Sequence, residues 1–394
     1  MSGLPRGGQA ARGLSVVHLS VVHGPSDARI YERECRTLAD AGYDVTYLAP
    51  GATPGIDEHG IRLMPLPVRP RSRRFLGTPD VIAALRRIRP FVVHTHDPEL
   101  LPLYPLLRPF VPRLIHDMHE FLREQVMAKE YIAAGLRPYV AAASGHGQRA
   151  LTRLADGLVA ATEAVLDDLG PRTVPCLVAP NYPRLSHFEG AEPFPEIAAD
   201  PRLRLVYIGA LSRTRGIPLI LDVMERLDAG DALLLLGGVF SSADFERDTL
   251  ARLRGGLDDR VRFLGRVSRQ DVARYLASAE VVWTASTPSP QFKRPTVATK
   301  VFEGAAVGLA ALASDLPGRE VIRDEGFGLL VPATLEGHLD GIRRLAADRA
   351  ATAAMGARGL AAVRRAYSWE ALGERFLDFY ARVCAPTGDE AART

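Results

Sequence analysis

One feature constrains this chain above the others: an alternation of apolar runs and helical spacings that starts, breaks off and starts again. "LSVVHLSVV" is β-branched and apolar, as a buried strand requires. "SDARIYERECRTLADAG" follows with helical spacing, with Ser26 or Asp27 suited to cap its start and Gly42 its end. "YDVTYLAP" is the next strand, so the three segments form a βαβ unit and a parallel sheet is expected. "FVVHTHDP", "RLIHDMHE", "ADGLVAATEAVLDDLG" and "CLVAPNYP" continue the alternation. Between about 180 and 200 the texture changes to a proline-rich stretch without periodicity, which reads as a linker. The pattern then restarts with "RLRLVYIGA", "GIPLILDVMERL", "ALLLLGG" and "RVRFLGRV". It runs on through "SRQDVARYLASA", "EVVWTAS", "TKVFEGAAVG" and "LAALAS". The prediction is an α/β chain of two Rossmann-like, doubly wound parallel-sheet domains in tandem, facing across a cleft.

The totals narrow the function classes. A length of 394 residues suits two such domains. A net charge of +3 gives no case for a general nucleic-acid binder. Of the basic residues only Lys129, Lys293 and Lys300 are lysines. Cys35, Cys176 and Cys384 are scattered, with neither a disulfide framework nor zinc spacing, which suits a reducing cytoplasm. No apolar run approaches membrane-spanning length. The basic start, residues 1–14, lacks a signal-peptide core and reads as a disordered leader; residues 385–394 read as a frayed tail. The basic run "PVRPRSRRFLG" (67–77) fits a solvated loop, or a contact with anionic lipid or a phosphorylated acceptor.

Polar clusters stand at two strand ends: His94, His96 and Asp97, then His116, Asp117, His119 and Glu120. Open parallel sheets bind ligands outside the carboxyl ends of their strands. Two histidines separated by one residue can chelate, so a metal-dependent hydrolase is one reading. The other histidines (His18, His23, His59, His146, His187, His338) do not follow later strands as such a site needs. The plainer reading has His94 and His96 orienting loops through hydrogen bonds. His119, just beyond a strand, is the best functional candidate.

"SDARIYERECRTLADAGYDVTYLAP", "VVHTHDPELLPL", "LIHDMHEFLREQ", "VYIGALSRTRGI", "RVRFLGRVS" and "TKVFEGAAVGLAALASDLPG" occur in this order. Together, from about residue 15 to about residue 383, they resemble a retaining GT-B glycosyltransferase of group 1, family 4-like. The resemblance implies an acceptor domain over 15–182 and a nucleotide-sugar donor domain over 183–369. A last helix, about 370–384, would cross back to the first domain. It implies a UDP- or GDP-sugar as donor and no cofactor or metal. The acceptor would be a polysaccharide, a lipid-linked saccharide or a small natural product. Arg215, before Gly216, matches the family's basic residue at the donor diphosphate, with Arg213 a neighbouring candidate and Gly209 letting the backbone approach. Lys300 would hold the diphosphate and Glu303, three residues on, the ribose diol. Eight places before Glu303, where the family usually has a first glutamate, stands Pro295; the "PSPQFKRP" loop, with Lys293 or Arg294, is the candidate substitute.

Backbone groups of Arg266 and Val267 would read the base, leaving UDP and GDP both open. Across the cleft, Gly24 and His23 in "HGPSD", with His96, Asp97 and Glu120, would face donor phosphate and acceptor. His119 matches the histidine that approaches the donor sugar. Retention in this family is ascribed to front-face attack, the leaving phosphate taking the acceptor's proton. Three other readings stand beside it: a nucleotide-sugar epimerase using Asp97, Asp117 and Glu120, a non-catalytic nucleotide-sugar binder, and the metal hydrolase. Partners expected are donor and acceptor, with possible peripheral contact at the inner face of a membrane and no nucleic acid. The sequence specifies no oligomeric state.

Overall fold

A computed structural model describes residues 13–69, 78–127, 129, 132–288 and 299–386. Lys293, Arg294 and Pro295, most of the 67–77 run and nearly all of the expected leader and tail lie outside the described residues. The chain divides into two compact units, one running to Pro180 and resuming at Leu372, the other Asn181–Ala371.

The first unit is built on eight strands: β1 (Ser15–Leu19), β2 (Asp44–Pro50), β3 (Gly55–Ile56), β4 (Arg62–Leu66), β5 (Val92–Thr95), β6 (Arg113–Met118), β7 (Gly157–Ala160) and β8 (Cys176–Val178). Their order is β3-β4-β2-β1-β5-β6-β7-β8, parallel except for the β3/β4 edge. β1 lies inside, between β2 and β5, with Val16, Val17 and Leu19 fully buried. The β1/β5 register pairs His18 with His94, which places two imidazoles side by side in the core with ring centres 4.8 Å apart.

The helix expected after β1 forms, with a difference. Asp27 Oδ1 accepts from the N–H groups of Arg29 and Ile30, as a cap should. Residues Ile30–Cys35 then wind as a π-helix before the α-helical turn Arg36–Asp40. The wider turn sends Ile30, Arg33, Glu34 and Cys35 all inward, a broader buried face than α-helical spacing offers. Gly42 closes the segment with φ +90.

From Leu372 onward the last helix, Trp369–Cys384, belongs to the first unit. Its Phe376, Phe379 and Tyr380 are fully buried, each worth about 1.5–3 kcal/mol of apolar transfer. Gly157 on β7 makes room for it, since a Cβ there would stand 2.7 Å from Val383 and 2.8 Å from Phe379. Arg113 on β6 donates to the Val383 carbonyl (2.9 Å) and holds the helix end.

The second unit has six parallel strands: β9 (Leu203–Leu211), β10 (Ala232–Phe240), β11 (Val261–Gly265), β12 (Val281–Thr284), β13 (Ala310–Ser314) and β14 (Gly328–Val331). The order β11-β10-β9-β12-β13-β14 puts its first strand in the middle, so the winding reverses between β9 and β12. Leu234, Leu236, Trp283 and Leu312 are fully buried between the sheet and its helices. Gly216, with φ +78, starts the helix Ile217–Arg226; a Cβ there would overlap the Ala285 carbonyl just after β12, so the close approach needs glycine. The expected linker is irregular apart from a short turn at Leu185–His187 and the helix Pro195–Ala198.

Candidate active site

In a doubly wound sheet the ligand crevice opens where the winding reverses, at the carboxyl ends of the strands. In the second unit that point lies between β9 and β12. Gly209, near the end of β9, touches Lys300 in the first turn of the helix Thr299–Ala306: a Cβ at 209 would overlap the lysine's Cε and Nζ. The Lys300 ammonium lies 5.5 Å from the centre of the Tyr207 ring. Burial lowers its proton affinity, Glu303 restores part of it, and Arg215 lowers it again. Arg319, in the loop after β13, is 3% exposed and donates through Nη1 to the Ser314 carbonyl (3.1 Å). Burial and the charge of Arg215 bring its pKa down to about 10. Arg215 therefore lies close enough for its charge to reach both Lys300 and Arg319, with Glu303 beside Lys300. Cations crowded in this way are relieved by an anionic ligand.

Arg213 does not join them. Its side chain is exposed, stacked 5.2 Å over the Phe245 ring and 3.9 Å from Asp248. That aromatic face and carboxylate on the helix Ala243–Arg254 draw it away from the diphosphate position the sequence suggested. Arg266 is exposed just after β11, and Val267 packs over Gly237, where a Cβ would stand 2.7 Å away.

In the first unit His119 follows β6 and is half-buried, with Nε2 3.0 Å from Asp117 Oδ2. Asp117 is buried and receives Arg29 through Nε (2.6 Å) and Nη2 (2.8 Å) and His96 through Nδ1 (3.3 Å). Burial alone would raise its pKa; the Arg29 charge and the hydrogen bonds from His119 and His96 outweigh that and hold it well below the usual carboxylate range. An ionised carboxylate only accepts, so His119 carries its hydrogen on Nε2. His23 stands beside it, ring centres 5.3 Å apart, with Nδ1 3.0 Å from Asp27 Oδ2 and Nε2 3.7 Å from Asp97 Oδ1. The hydrogen bond that His23 donates to Asp27 raises the His23 pKa against the effect of burial. Gly24 and Glu120 are exposed; the Gly24 carbonyl accepts from Tyr47 (3.1 Å) and Glu120 from Gln125 (3.0 Å).

His96 and Asp97 are not surface groups facing an acceptor, as the sequence suggested. Both are 2% exposed. Asp97 Oδ2 accepts from the Ser20 hydroxyl (2.8 Å) and the Val21 N–H (2.7 Å), which shapes the loop carrying His23 and Gly24. Both His96 nitrogens are engaged, one by Asp117 and the other by His18 Nδ1 at 2.9 Å.

Two groups of side chains among the described residues have the donor spacing of a metal site: His18, Glu34, His94 and His96, and His96, Asp117 and His119. Most of their ligand atoms already serve one another or Arg29. Sequence reasoning named Asp27 only as a helix cap and did not single out Arg29, Glu34, Tyr380 or Arg319. A signal for part of this network was present: His18 sits inside an apolar strand run, where a buried polar ring must find a partner.

Two Rossmann-like sheets, with a cation cluster at the reversal point of the second, define a protein of GT-B fold. A sucrose-phosphate synthase from Thermosynechococcus elongatus has the same fold, with TM-score 0.75, 22% identity, and cover of 93% of this chain and 98% of that one. So does Anabaena HepE, solved with UDP-glucose, at TM-score 0.71 and 15% identity, covering 93% and 99%. Residues 28–181 match the family described as glycosyl transferase 4-like domain, and residues 202–348 that described as glycosyl transferases group 1. A phosphatidyl-myo-inositol mannosyltransferase of Mycobacterium leprae is 30% identical over 198 residues, 48% of this chain and 50% of that protein. A GDP-mannose-dependent monoacylated alpha-(1-6)-phosphatidylinositol monomannoside mannosyltransferase of Corynebacterium glutamicum is 33% identical over 147 residues, 37% and 38% of the two. The matches thus span half or less of these curated relatives. The chain belongs to the group 1, family 4-like glycosyltransferases.

Proposed function

We propose that this protein transfers a sugar from a UDP- or GDP-sugar to a hydroxyl of a lipid-linked, polysaccharide or small-molecule acceptor, with retention and without a metal. The observation that carries the reading is the cluster of Lys300, Arg215 and Arg319 at the reversal point of the second sheet. In the reaction the bond from sugar C1 to the diphosphate oxygen breaks and its electron pair stays on the phosphate. The acceptor oxygen bonds to C1 on the same face, and its proton passes to the leaving phosphate. Until that proton arrives the diphosphate carries one additional negative charge, which Lys300 and Arg215 stabilise in a partly dehydrated site. Glu303 accepts from the ribose hydroxyls. His119, its ring fixed by Asp117, contacts the transferred sugar.

The name of the Corynebacterium glutamicum relative supports a GDP-sugar, the names of both curated relatives support a lipid-linked acceptor, and the UDP-glucose complex of Anabaena HepE keeps a UDP-sugar in the panel. None of the helices formed by described residues is long and apolar enough to cross a membrane. We place the reaction in the cytoplasm, at or near a membrane face. The test is nucleotide release with and without acceptor, with EDTA present, and NMR of the product's anomeric centre. The expected result is acceptor-dependent release with the anomeric configuration kept. Inversion, or a 2-epimer formed without acceptor, would overturn the reading.

A further inference from the structure

The hydrogen bonds behind Asp117 run in one direction, and the geometry allows every hydrogen to be assigned. Asp117 accepts, so His96 donates to it from Nδ1 (3.3 Å) and, as a neutral ring, presents a bare Nε2. His18 Nδ1, 2.9 Å from that nitrogen, must carry a hydrogen, which leaves His18 Nε2 as an acceptor. The Tyr380 hydroxyl, 3.3 Å away, supplies the donor. Its oxygen accepts in turn from His94 Nδ1 at 2.8 Å. The chain ends at His94 Nε2, a buried nitrogen with no hydrogen-bond partner, tolerable as a lone pair. The reverse direction would need a charged His96 in the core and would strand an N–H at His94. Burial opposes that charge: it lowers the proton affinity of all three rings, each also disfavoured by the charge of a neighbouring histidine.

We propose that this one-way chain makes His96, His18 and Tyr380 positioning residues for His119, tying the ring used in transfer to the C-terminal helix. Residues 362 positions apart, His18 and Tyr380, are joined in it. All the groups lie in the first unit, five of them fully or almost fully buried. Removing one hydroxyl would loosen two rings at once. Without Tyr380 Oη, His18 Nε2 loses its donor and His94 Nδ1 its acceptor. Asp117 still sets the tautomers of His96 and His18, but the His18 ring is then held from one side only, and His96 and Asp117 lose the rear support that fixes them beside His119. A buried network with every hydrogen committed is rigid in a way that a partly committed one is not.

The consequence for turnover rests on the proposed transferase activity; the tautomers do not. Long-range ¹H–¹⁵N NMR of the histidine-labelled full chain reads them directly. The expected pattern is neutral His18, His94 and His96, each protonated on Nδ1. Protonation of His18 or His96 on Nε2 alone, or a charged His96, would overturn the chain. Tyr380→Phe should free the His94 tautomer while leaving those of His18 and His96 in place, move the His119 resonances and lower kcat roughly tenfold with nucleotide-diphosphate affinity unchanged, the low end of what loss of an outer-shell hydrogen-bond partner costs. Unmoved His119 resonances, or an unchanged kcat, would overturn the positioning role. Absence of any transfer by the wild type would sink the transferase reading, while the tautomer pattern and the His119 response would still decide this one.

Discussion

Glu34→Gln is the substitution whose energetic effect the structure specifies most closely. Arg29 faces two buried carboxyl groups. It meets Asp117 with two hydrogen bonds, 2.6 and 2.8 Å, and its Nε stands 3.3 Å from Glu34 Oε1. One guanidinium cannot neutralise both in a dehydrated core, and the bidentate partner wins. Burial first, then the Asp117 charge, pushes the Glu34 carboxyl well above its usual range, so it keeps its proton. Glutamine copies that neutral shape, and E34Q should cost about 1 kcal/mol or less. Asp117→Asn removes the charge that holds buried Arg29 and should cost about 3–5 kcal/mol. The sign of the pH dependence follows. Glu34 has a raised folded pKa, so its contribution is complete below the unfolded value of about 4.3 and is lost as pH rises towards the folded one. Wild type should therefore lose about 1.4 kcal/mol per pH unit relative to E34Q across that window. Urea unfolding of wild type, E34Q and D117N from about pH 5 to about pH 8 measures all three quantities. A cost for E34Q equal to that of D117N, with no pH-dependent difference from wild type, would mean Glu34 is the ionised partner and would refute the reasoning.

Three further outcomes are expected. Gly209→Ala should push Lys300 aside and weaken nucleotide-diphosphate binding at least tenfold, about 1.4 kcal/mol, with circular dichroism unchanged; full affinity would place the ammonium elsewhere. Lys300→Ala should cost a nucleoside diphosphate about 1.5–3 kcal/mol of binding and a bare nucleoside almost nothing; equal losses would contradict a phosphate role. His119→Ala should slow transfer far more than it weakens nucleotide binding, and small changes in both would leave the ring a structural one.

The sequence displays what is local. The βαβ rhythm, the linker near 180–200 and the restart at residue 203 follow from hydrophobic period and turn residues, and the strands read from those periods stand where they put them, while β3, β4 and β14 gave no such signal. Ser268 caps the helix Arg269–Ala277 through its side chain, as its position before that run suggests. The proximity of Lys300 to Gly209 at the end of β9 is less local. It needs β9 and β12 to be neighbours, which the reversal of a doubly wound sheet supplies. The support beneath His119 was out of reach of any spacing argument. Arg29 and Asp117 are 88 residues apart, and His94 and Tyr380 are 286 apart. Only the sheet register and the returning helix bring them together. His96 and Asp97 show the cost of reading strand-end polar residues as surface groups: a strand end under a covering loop is interior, and polar groups there pair with one another. Arg213 shows the reverse, an arginine beside the site drawn off by a nearby aromatic ring.

The most direct test of the central claim is calorimetric titration of the protein, in EDTA, with GDP, UDP, ADP, dTDP and their common sugars. The account predicts that one nucleoside diphosphate binds without metal, its monophosphate binds more weakly, and Lys300→Ala removes most of the difference. If none binds, and none binds when Zn²⁺ or Mn²⁺ replaces EDTA, the cation cluster at the end of β9 is not a donor site and the account is contradicted.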